Sequence, residues 1–389
     1  MNDHPRILVL TGSLGEGHRQ AASALSEAAR LFRPNLHVEV IDFTEWSYPH
    51  LHVVAKRCYI QCIKHFPSIY GYLFRKTRKD NALSYLLKRT SSLVLSRLLK
   101  LLNQTGPDVV VSTFPSAAAA MSALKSHGLT DVPTVTIITD HTDHSYWIHP
   151  YTEQYIVGSD YVREALLNKH VRESQIAVTG IPIRPGYNSK PDRDRLMKQY
   201  GLDRDARTVL VMGGGFGMIG KSLTSLLNSE LLPDDLQFII VCGQNEKLRK
   251  QLTTEAAGFR HRVHVLGYID YVRELMAISD LIVTKPGGLT TSEAMAAELP
   301  MILFHPLPGQ EQDNCEYLLR EGVAVLAEDD GSLLSRMSEL LDHPELLQEM
   351  KNRANRCKYR AAALEALKRT VETSKTSSGR LRAYIRQYT

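Results

Sequence analysis

The 389-residue chain has no long apolar run. Stretches such as 117–121 fall far short of the roughly 20 apolar residues of a membrane span, so no transmembrane helix is expected. Cysteine is scarce. Cys58, Cys62, Cys242, Cys315 and Cys357 make an odd five with no C-x-x-C pair, which excludes a disulfide framework. Scattered thiols fit small core residues in a reducing cytoplasm. The first six residues lack the charged-then-apolar pattern of a secretory signal. What remains, 43% hydrophobic and 23% charged residues, is ordinary globular composition, and the length suits two or three domains.

Acid is nearly absent from one segment. Residues 55–103 hold eleven Lys or Arg and one acid, Asp80, a net +10 within a chain whose total is +5. The remainder is therefore −5. Such asymmetry points to an anionic partner for one surface. The segment interleaves aromatic and basic residues from Tyr70 to Lys79, and then leucines at helical spacing. Arg75, Lys76, Arg78 and Lys79 are the expected contacts with anionic membrane lipid. The leucines by themselves also read as core. No nucleic-acid partner is expected, because no helix-turn-helix, zinc or other recognition module is present.

Two stretches read as strand, glycine-rich turn, helix. In the first, the run 6–11 leads into Gly12-Ser-Leu-Gly15-Glu-Gly17-His18 and an Ala-rich helix over 21–32. In the second, 208–212 leads into Gly213-Gly214-Gly215-Phe-Gly217 and a helix over 221–227. Further short Val- and Ile-rich strands are expected at 38–42, 108–112, 135–139, 154–157 and 176–178, and then at 237–242, 263–266, 281–284, 301–304 and 323–326. They lack clean alternation, as strands buried on both faces do. The fold class is therefore α/β with two doubly wound domains. The expected boundaries are 1–183, a Pro-rich linker 184–207, a second domain 208–360, and a helical, basic tail 361–389 able to pack back on the first domain.

Four motifs sit at strand ends, where open α/β sheets bind ligands. His18 opens a helix after the first glycine turn. An imidazole of near-neutral pKa there is a candidate general base, with a capping or packing role as the alternative. Gly15 and Gly17 would allow close approach to it. Gly287 and Gly288 turn the chain before a helix over 290–297, whose free N–H groups suit a diphosphate. Glu293 lies about one turn in, either reaching a ribose or complementing the helix dipole. Gln310, Glu311 and Asn314 belong to a run of amides and acids over 306–314 that suits hydroxyl-rich ligands, or else caps a helix. Asp140, Trp147 and His149 lie in 139–149. The histidines and aspartates there follow no standard zinc spacing, so cleft-lining is preferred to metal binding.

These motifs together resemble the diacylglycerol glycosyltransferases, the family of processive diacylglycerol β-glucosyltransferase and monogalactosyldiacylglycerol synthase. The resemblance covers about residues 5 to 360. It is carried by Gly15-Glu-Gly-His18-Arg-Gln-Ala-Ala22, Thr113-Phe-Pro115, Thr139-Asp140, Trp147-Ile-His149, Ser159-Asp-Tyr-Val162, Thr179-Gly-Ile-Pro-Ile-Arg-Pro185, Lys285-Pro-Gly-Gly288 and Pro308-Gly-Gln-Glu311. It implies a GT-B fold, two Rossmann-like domains facing each other across a cleft, and an inverting transfer of hexose from a UDP-sugar to diacylglycerol. It implies no cofactor and no catalytic metal. UDP-glucose is expected ahead of UDP-galactose, although the two differ at one hydroxyl. By the same resemblance, Gly287, Gly288 and Thr290 would contact the diphosphate, Glu293 the ribose, Gln310 and Glu311 the sugar, and the backbone at Tyr268 and Ile269 the uracil. His18 falls on the family's active-site histidine, with Asp140 as support or alternative base, and Gly213, Gly214 and Gly215 on its second glycine loop. The expected enzyme is cytoplasmic and peripheral on the inner face of the membrane. The rival expectations are a polyprenyl-lipid N-acetylglucosaminyltransferase, a UDP-N-acetylglucosamine 2-epimerase and a non-catalytic UDP-sugar-binding protein.

Overall fold

The structure is a computed structural model. It describes residues 5–13, 15–49, 52–84, 90–187, 191–213, 222–270, 272–357 and 359–388, with the backbone alone for 55, 56, 59, 60, 63, 64, 222 and 376–388. The chain forms two units. The first comprises Met1–Pro185, Leu307–Gln310 and Ala361–Thr389, and the second Gly186–Pro306 and Glu311–Arg360. Gly214 and Gly215 lie outside the described residues.

The first unit holds strands β1 Arg6–Thr11, β2 His37–Asp42, β3 Val109–Ser112, β4 Thr134–Ile137, β5 Gln154–Val157 and β6 Ile176–Val178, all parallel, in the order β2-β1-β3-β4-β5-β6. Its helices are α1 Glu16–Phe32, α2 Phe43–Ser47, α3 His52–His65, α4 Pro67–Thr77, α5 Ser92–Thr105, α6 Pro115–Ser126 and α7 Asp160–Leu167. The strands are short and apolar because helices cover both faces. Ile7 and Val9 pack with Ala22, Leu25 and Ala28 of α1, whereas Leu8 and Leu10 pack with Val94 and Leu98 of α5 and Met121 of α6. Each such leucine or valine contributes about 1.5–3 kcal/mol on full burial. α1 begins at Glu16, five residues before the Ala-rich run, with Gly15 as its cap.

The second unit holds α8 Arg193–Gln199, β7 Arg207–Met212, α9 Ser222–Leu227, β8 Leu236–Val241, α10 Glu246–Glu255, β9 Arg262–Leu266, α11 Val272–Ile278, β10 Leu281–Thr284, α12 Gly288–Ala296, β11 Met301–Phe304, α13 Gln310–Glu321 (from Glu311 on), β12 Ala324–Ala327, α14 Asp330–Asp342 and α15 Pro344–Cys357. Its parallel sheet runs β12-β11-β10-β7-β8-β9. Counted from β7, this is the 3-2-1-4-5-6 order of a dinucleotide-binding fold. The stretch 184–207, read as a linker, carries α8, whose Leu196 and Met197 are buried. It is tied down by Arg193 Nη2, 3.3 Å from Asp280 Oδ1. The last helix, α16 Ala362–Tyr388, returns to the first unit, where Ala363, Ala366 and Leu367 join the core beside α1.

Parallel order reverses twice, between β1 and β3 in the first sheet and between β7 and β10 in the second. Loops leaving neighbouring strands in opposite directions open a crevice at such a point. The first glycine turn of the sequence lies at the first position, and Gly213, which opens the second, follows β7 at the other.

Candidate active site

At the first reversal, Gly12 packs where a Cβ would fall 2.6 Å from the Phe114 ring. Only glycine lets β1 turn there with Phe114 in place. Gly15 then caps α1 without a side-chain hydrogen bond, so the first-turn N–H groups face whatever occupies the crevice. His18 is in that turn. Its Nδ1 is 3.0 Å from Thr139 Oγ1 at the end of β4. Its carbonyl accepts from Thr113 Oγ1 at 3.1 Å, at the end of β3. Phe114 meets the ring edge-on at 5.3 Å, and Trp147 lies at 5.9 Å. These neighbours displace water, and burial pushes the imidazole down to about 4, only partly opposed by a hydrogen bond of the ring to the Thr113 backbone. The sequence suggested a near-neutral value. The pKa of the ring is instead lowered, because its surroundings are apolar and its side-chain partner is a hydroxyl rather than a carboxylate.

A cavity of about 360 Å³ opens at His18. Gly15, Asp140, Trp147 and Gln310 line it, as do Phe114 and Tyr146. The wall not foreseen is α4, through Tyr70, Leu73, Phe74 and Thr77. Their i, i+3, i+4, i+7 spacing is one helix face. The Tyr70 hydroxyl donates to Gln310 Oε1 at 2.6 Å. Gly309, at φ +113°, leads into this contact, and a Cβ there would fall 2.9 Å from the Tyr70 ring. The other face of α4 is exposed, with Ile69 54% and Tyr72 55% accessible, Arg75, Lys76 and Lys79 beside them, and Lys76 Nζ 5.6 Å from the Tyr72 ring. The tyrosines were legible only as part of a basic aromatic segment. The helical period would have separated the two faces.

Three expected residues have other duties. Arg78, partly exposed, is ion-paired: its Nη2 is 2.7 Å from Asp143 Oδ1, and Lys169 Nζ approaches the same carboxylate at 3.3 Å. Asp143 comes from the loop after β4, a partner the local pattern of 75–79 could not reveal. Together with Ser145 Oγ, which donates to Thr77 O at 2.7 Å, this pair pins the end of α4. His149 is 7% exposed and braces its loop, with Nε2 2.9 Å from Tyr146 O and its backbone bonded twice to the Tyr155 hydroxyl. It does not line the cavity. Gly17 lies inside the first turn of α1, behind the lining formed by Gly15 and His18.

At the second reversal, Gly213 follows β7 and is buried. Lys285-Pro-Gly-Gly288 follows β10. Gly287 caps α12 with no side-chain hydrogen bond, and the space where its Cβ would be is open. Asp42, Asp192, Asn245 and Asp329 cap other helices. Both reversal-point helices therefore present bare N–H groups. Thr290 and Glu293 are half-buried on α12. Asn314 is fully buried, and its Nδ2 donates to Pro286 O at 2.9 Å. It holds the loop in shape. Lys285 was not singled out by sequence. It is 8% exposed, its pKa is lowered by burial, and Glu311 opposes that shift. A buried cation beside a bare helix N-terminus is a strong anion locus. Tyr268 and Ile269 follow β9, with Tyr268 48% exposed. Among the described residues no three His, Cys, Asp or Glu side chains group as they do around a metal ion.

Solved structures with this fold include MurG of Acinetobacter baumannii, with a TM-score of 0.60, 15% identity and coverage of 95% of this chain and 99% of that one. UDP-GlcNAc 2-epimerase of Neisseria meningitidis, bound to UDP-GlcNAc, matches with a TM-score of 0.59, 16% identity and coverage of 94% and 100%. The family model "Glycosyl transferases group 1" matches residues 192–356. Fold and motif thus define a glycosyltransferase of the GT-B class. The family model "Monogalactosyldiacylglycerol (MGDG) synthase" matches residues 18–183. A "Processive diacylglycerol beta-glucosyltransferase" of Bacillus pumilus (strain SAFR-032) is 30% identical over 377 residues, 96% of each chain. The chain belongs to the diacylglycerol glycosyltransferase family.

Proposed function

We propose that the protein transfers a hexose from a UDP-sugar to the free hydroxyl of 1,2-diacylglycerol with inversion at the anomeric carbon. The observation that carries this reading is the double use of α4. One face lines the cavity at His18, and the other exposes apolar and basic side chains together. An amphiphile drawn from a bilayer surface along such a helix arrives at the imidazole. UDP-glucose stands ahead of UDP-galactose because the relative's name specifies a β-glucosyl product, the outcome of one displacement on an α-linked donor.

In the base form, His18 Nδ1 donates to Thr139 Oγ1 and Nε2 holds the lone pair. The acceptor oxygen attacks the anomeric carbon, the bond from that carbon to the diphosphate oxygen breaks, and the hydroxyl proton passes to Nε2. Asp140, in the same cavity, offsets the new imidazolium charge. In the second unit, the bare N-terminus of α12 with Thr290, and Lys285 beside it, hold the departing diphosphate, a role that elsewhere falls to a metal. Glu293 takes the ribose, and Glu311 and Gln310 take sugar hydroxyls. The exposed face of α4, through Arg75, Lys76 and Lys79, holds the enzyme to anionic lipid on the cytoplasmic side.

Incubation with vesicles of diacylglycerol and phosphatidylglycerol, with labelled UDP-glucose or UDP-galactose and EDTA present, followed by lipid chromatography, tests this reading. Labelled glycolipid is the expected result. Its absence with both donors would contradict the assignment.

A further inference from the structure

Two glycines let α4 and the segment Leu307–Gln310 interlock, both within the first unit. Gly71 is buried midway along α4, a place where glycine weakens a helix. A Cβ there would overlap the Pro308 ring. Gly309, the next residue after that proline, is also buried, and its Cβ would fall 2.9 Å from the Tyr70 ring and 3.3 Å from the Phe74 ring. Each backbone therefore comes close to the other because the residue at the contact has no side chain.

The interlock fixes the direction of one side chain. The Tyr70 ring packs on Gly309 and lies 6.3 Å from the Phe74 ring, which in turn packs on His144 at 4.3 Å. His144 Nε2 is 3.0 Å from the Phe74 carbonyl and 3.2 Å from Thr77 Oγ1. The Tyr70 hydroxyl thus reaches Gln310 from a ring with little freedom to turn, and donates to Oε1 at 2.6 Å. Among the described residues Gln310 makes no other side-chain hydrogen bond. An amide has one acceptor oxygen and two donor hydrogens. With Oε1 taken, turning the amide over breaks the bond to Tyr70. Gln310 lines the cavity at His18, so the two N–H groups on Nε2 are what it offers a ligand there.

We propose that Tyr70 is a positioning residue for the donor sugar: by holding Oε1 it orients Gln310 so that Nε2 donates to a hydroxyl oxygen of the hexose. The inference rests on the proposed transferase activity, in which Gln310 takes a sugar hydroxyl. Tyr70 acts only through the amide, and the uridine and the diphosphate do not depend on it. A helix whose outer face carries Arg75 and Lys76 thereby also sets how the donor sugar is held.

The test is a double-variant cycle of Tyr70→Phe and Gln310→Ala in the full chain. Calorimetry gives the affinities for UDP-glucose and for UDP, and vesicle assays give KM for UDP-glucose and for diacylglycerol. Tyr70→Phe is expected to weaken UDP-glucose about fivefold in both Kd and KM, the effect of one lost hydrogen bond. UDP, which has no sugar, is expected to bind as before, and KM for diacylglycerol to stay unchanged. Gln310→Ala is expected to weaken UDP-glucose at least as much. The double variant is expected to match Gln310→Ala alone, since a residue acting through the amide adds nothing once the amide is gone. Gln310→Glu keeps an oxygen for Tyr70 but loses both N–H donors, and is expected to bind UDP-glucose as weakly as Gln310→Ala. Additive effects in the cycle, no effect of Tyr70→Phe, or equal losses for UDP and UDP-glucose would overturn the proposal. So would a KM for diacylglycerol raised by Tyr70→Phe, which would make Tyr70 an acceptor contact. An unaltered enzyme that forms no glycolipid from UDP-glucose or UDP-galactose refutes the transferase reading itself, and the calorimetric cycle still decides the role of Tyr70.

Discussion

The His18 imidazole is neutral at physiological pH because Phe114 and Trp147 stand where water would be, and its one side-chain partner is the Thr139 hydroxyl. A hydroxyl can accept from Nδ1 or donate to it, so Thr139 decides whether Nε2 carries a lone pair or a proton. Thr139→Val removes that control while keeping the volume. It is expected to lower kcat about tenfold with little change in KM for the donor, and Thr139→Ser is expected to restore the rate. A valine variant at full kcat would assign Thr139 to packing alone. His18 was legible in the sequence because a glycine turn and a histidine are local features. The partners of Arg78, His149 and Asn314, namely Asp143, Tyr155 and the Pro286 carbonyl, were not legible, because they are set by tertiary contacts.

Among the elements, α4 is the one that the proposed function sets between membrane and site. Its cavity face is fixed by packing and by the Arg78–Asp143 pair, and its outer face carries charges with no comparable tie among the described residues. The four basic residues therefore fall into two groups. Arg75, Lys76 and Lys79 replaced together by Gln are expected to weaken sedimentation with phosphatidylglycerol vesicles, as added salt does, by about 1 kcal/mol per charge removed. Arg78→Gln is expected instead to lower stability by about 1 kcal/mol or less, given its partial exposure, and to leave vesicle binding nearly unchanged. Equal effects of all four on vesicle binding would contradict the division. The strands were the most legible elements. Those at 154–157, 176–178, 281–284 and 301–304 lie where their Val- and Ile-rich runs predict, because parallel strands covered on both faces must be apolar throughout. Helix starts were less so. α1 and α12 begin at Glu16 and Gly288, within the glycine turns, where propensity argues against a helix and the reversal of strand order requires one.

Across the whole molecule, the histidines with the largest downward shifts lie in the first unit. His18, His141 and His144 all have pKa values pushed down by burial, to about 4, about 3 and about 4. Each binds fewer protons folded than unfolded between those values and the ordinary 6.5, so stability rises with pH across that window and is lost as pH falls. Calorimetry is expected to show a melting temperature that falls from pH 7 to pH 5, with the first unit melting earlier. A melting temperature flat over that range would contradict the burial of these rings. In the proposed reaction the two units also divide the work, the first holding the base and the second the nucleotide. The most direct test of that claim is the rate of glycolipid formation by His18→Ala, measured beside its affinity for UDP. The account predicts that turnover falls by about a hundredfold or more while UDP binds as tightly as before. Near-normal turnover, or loss of both together, would contradict it.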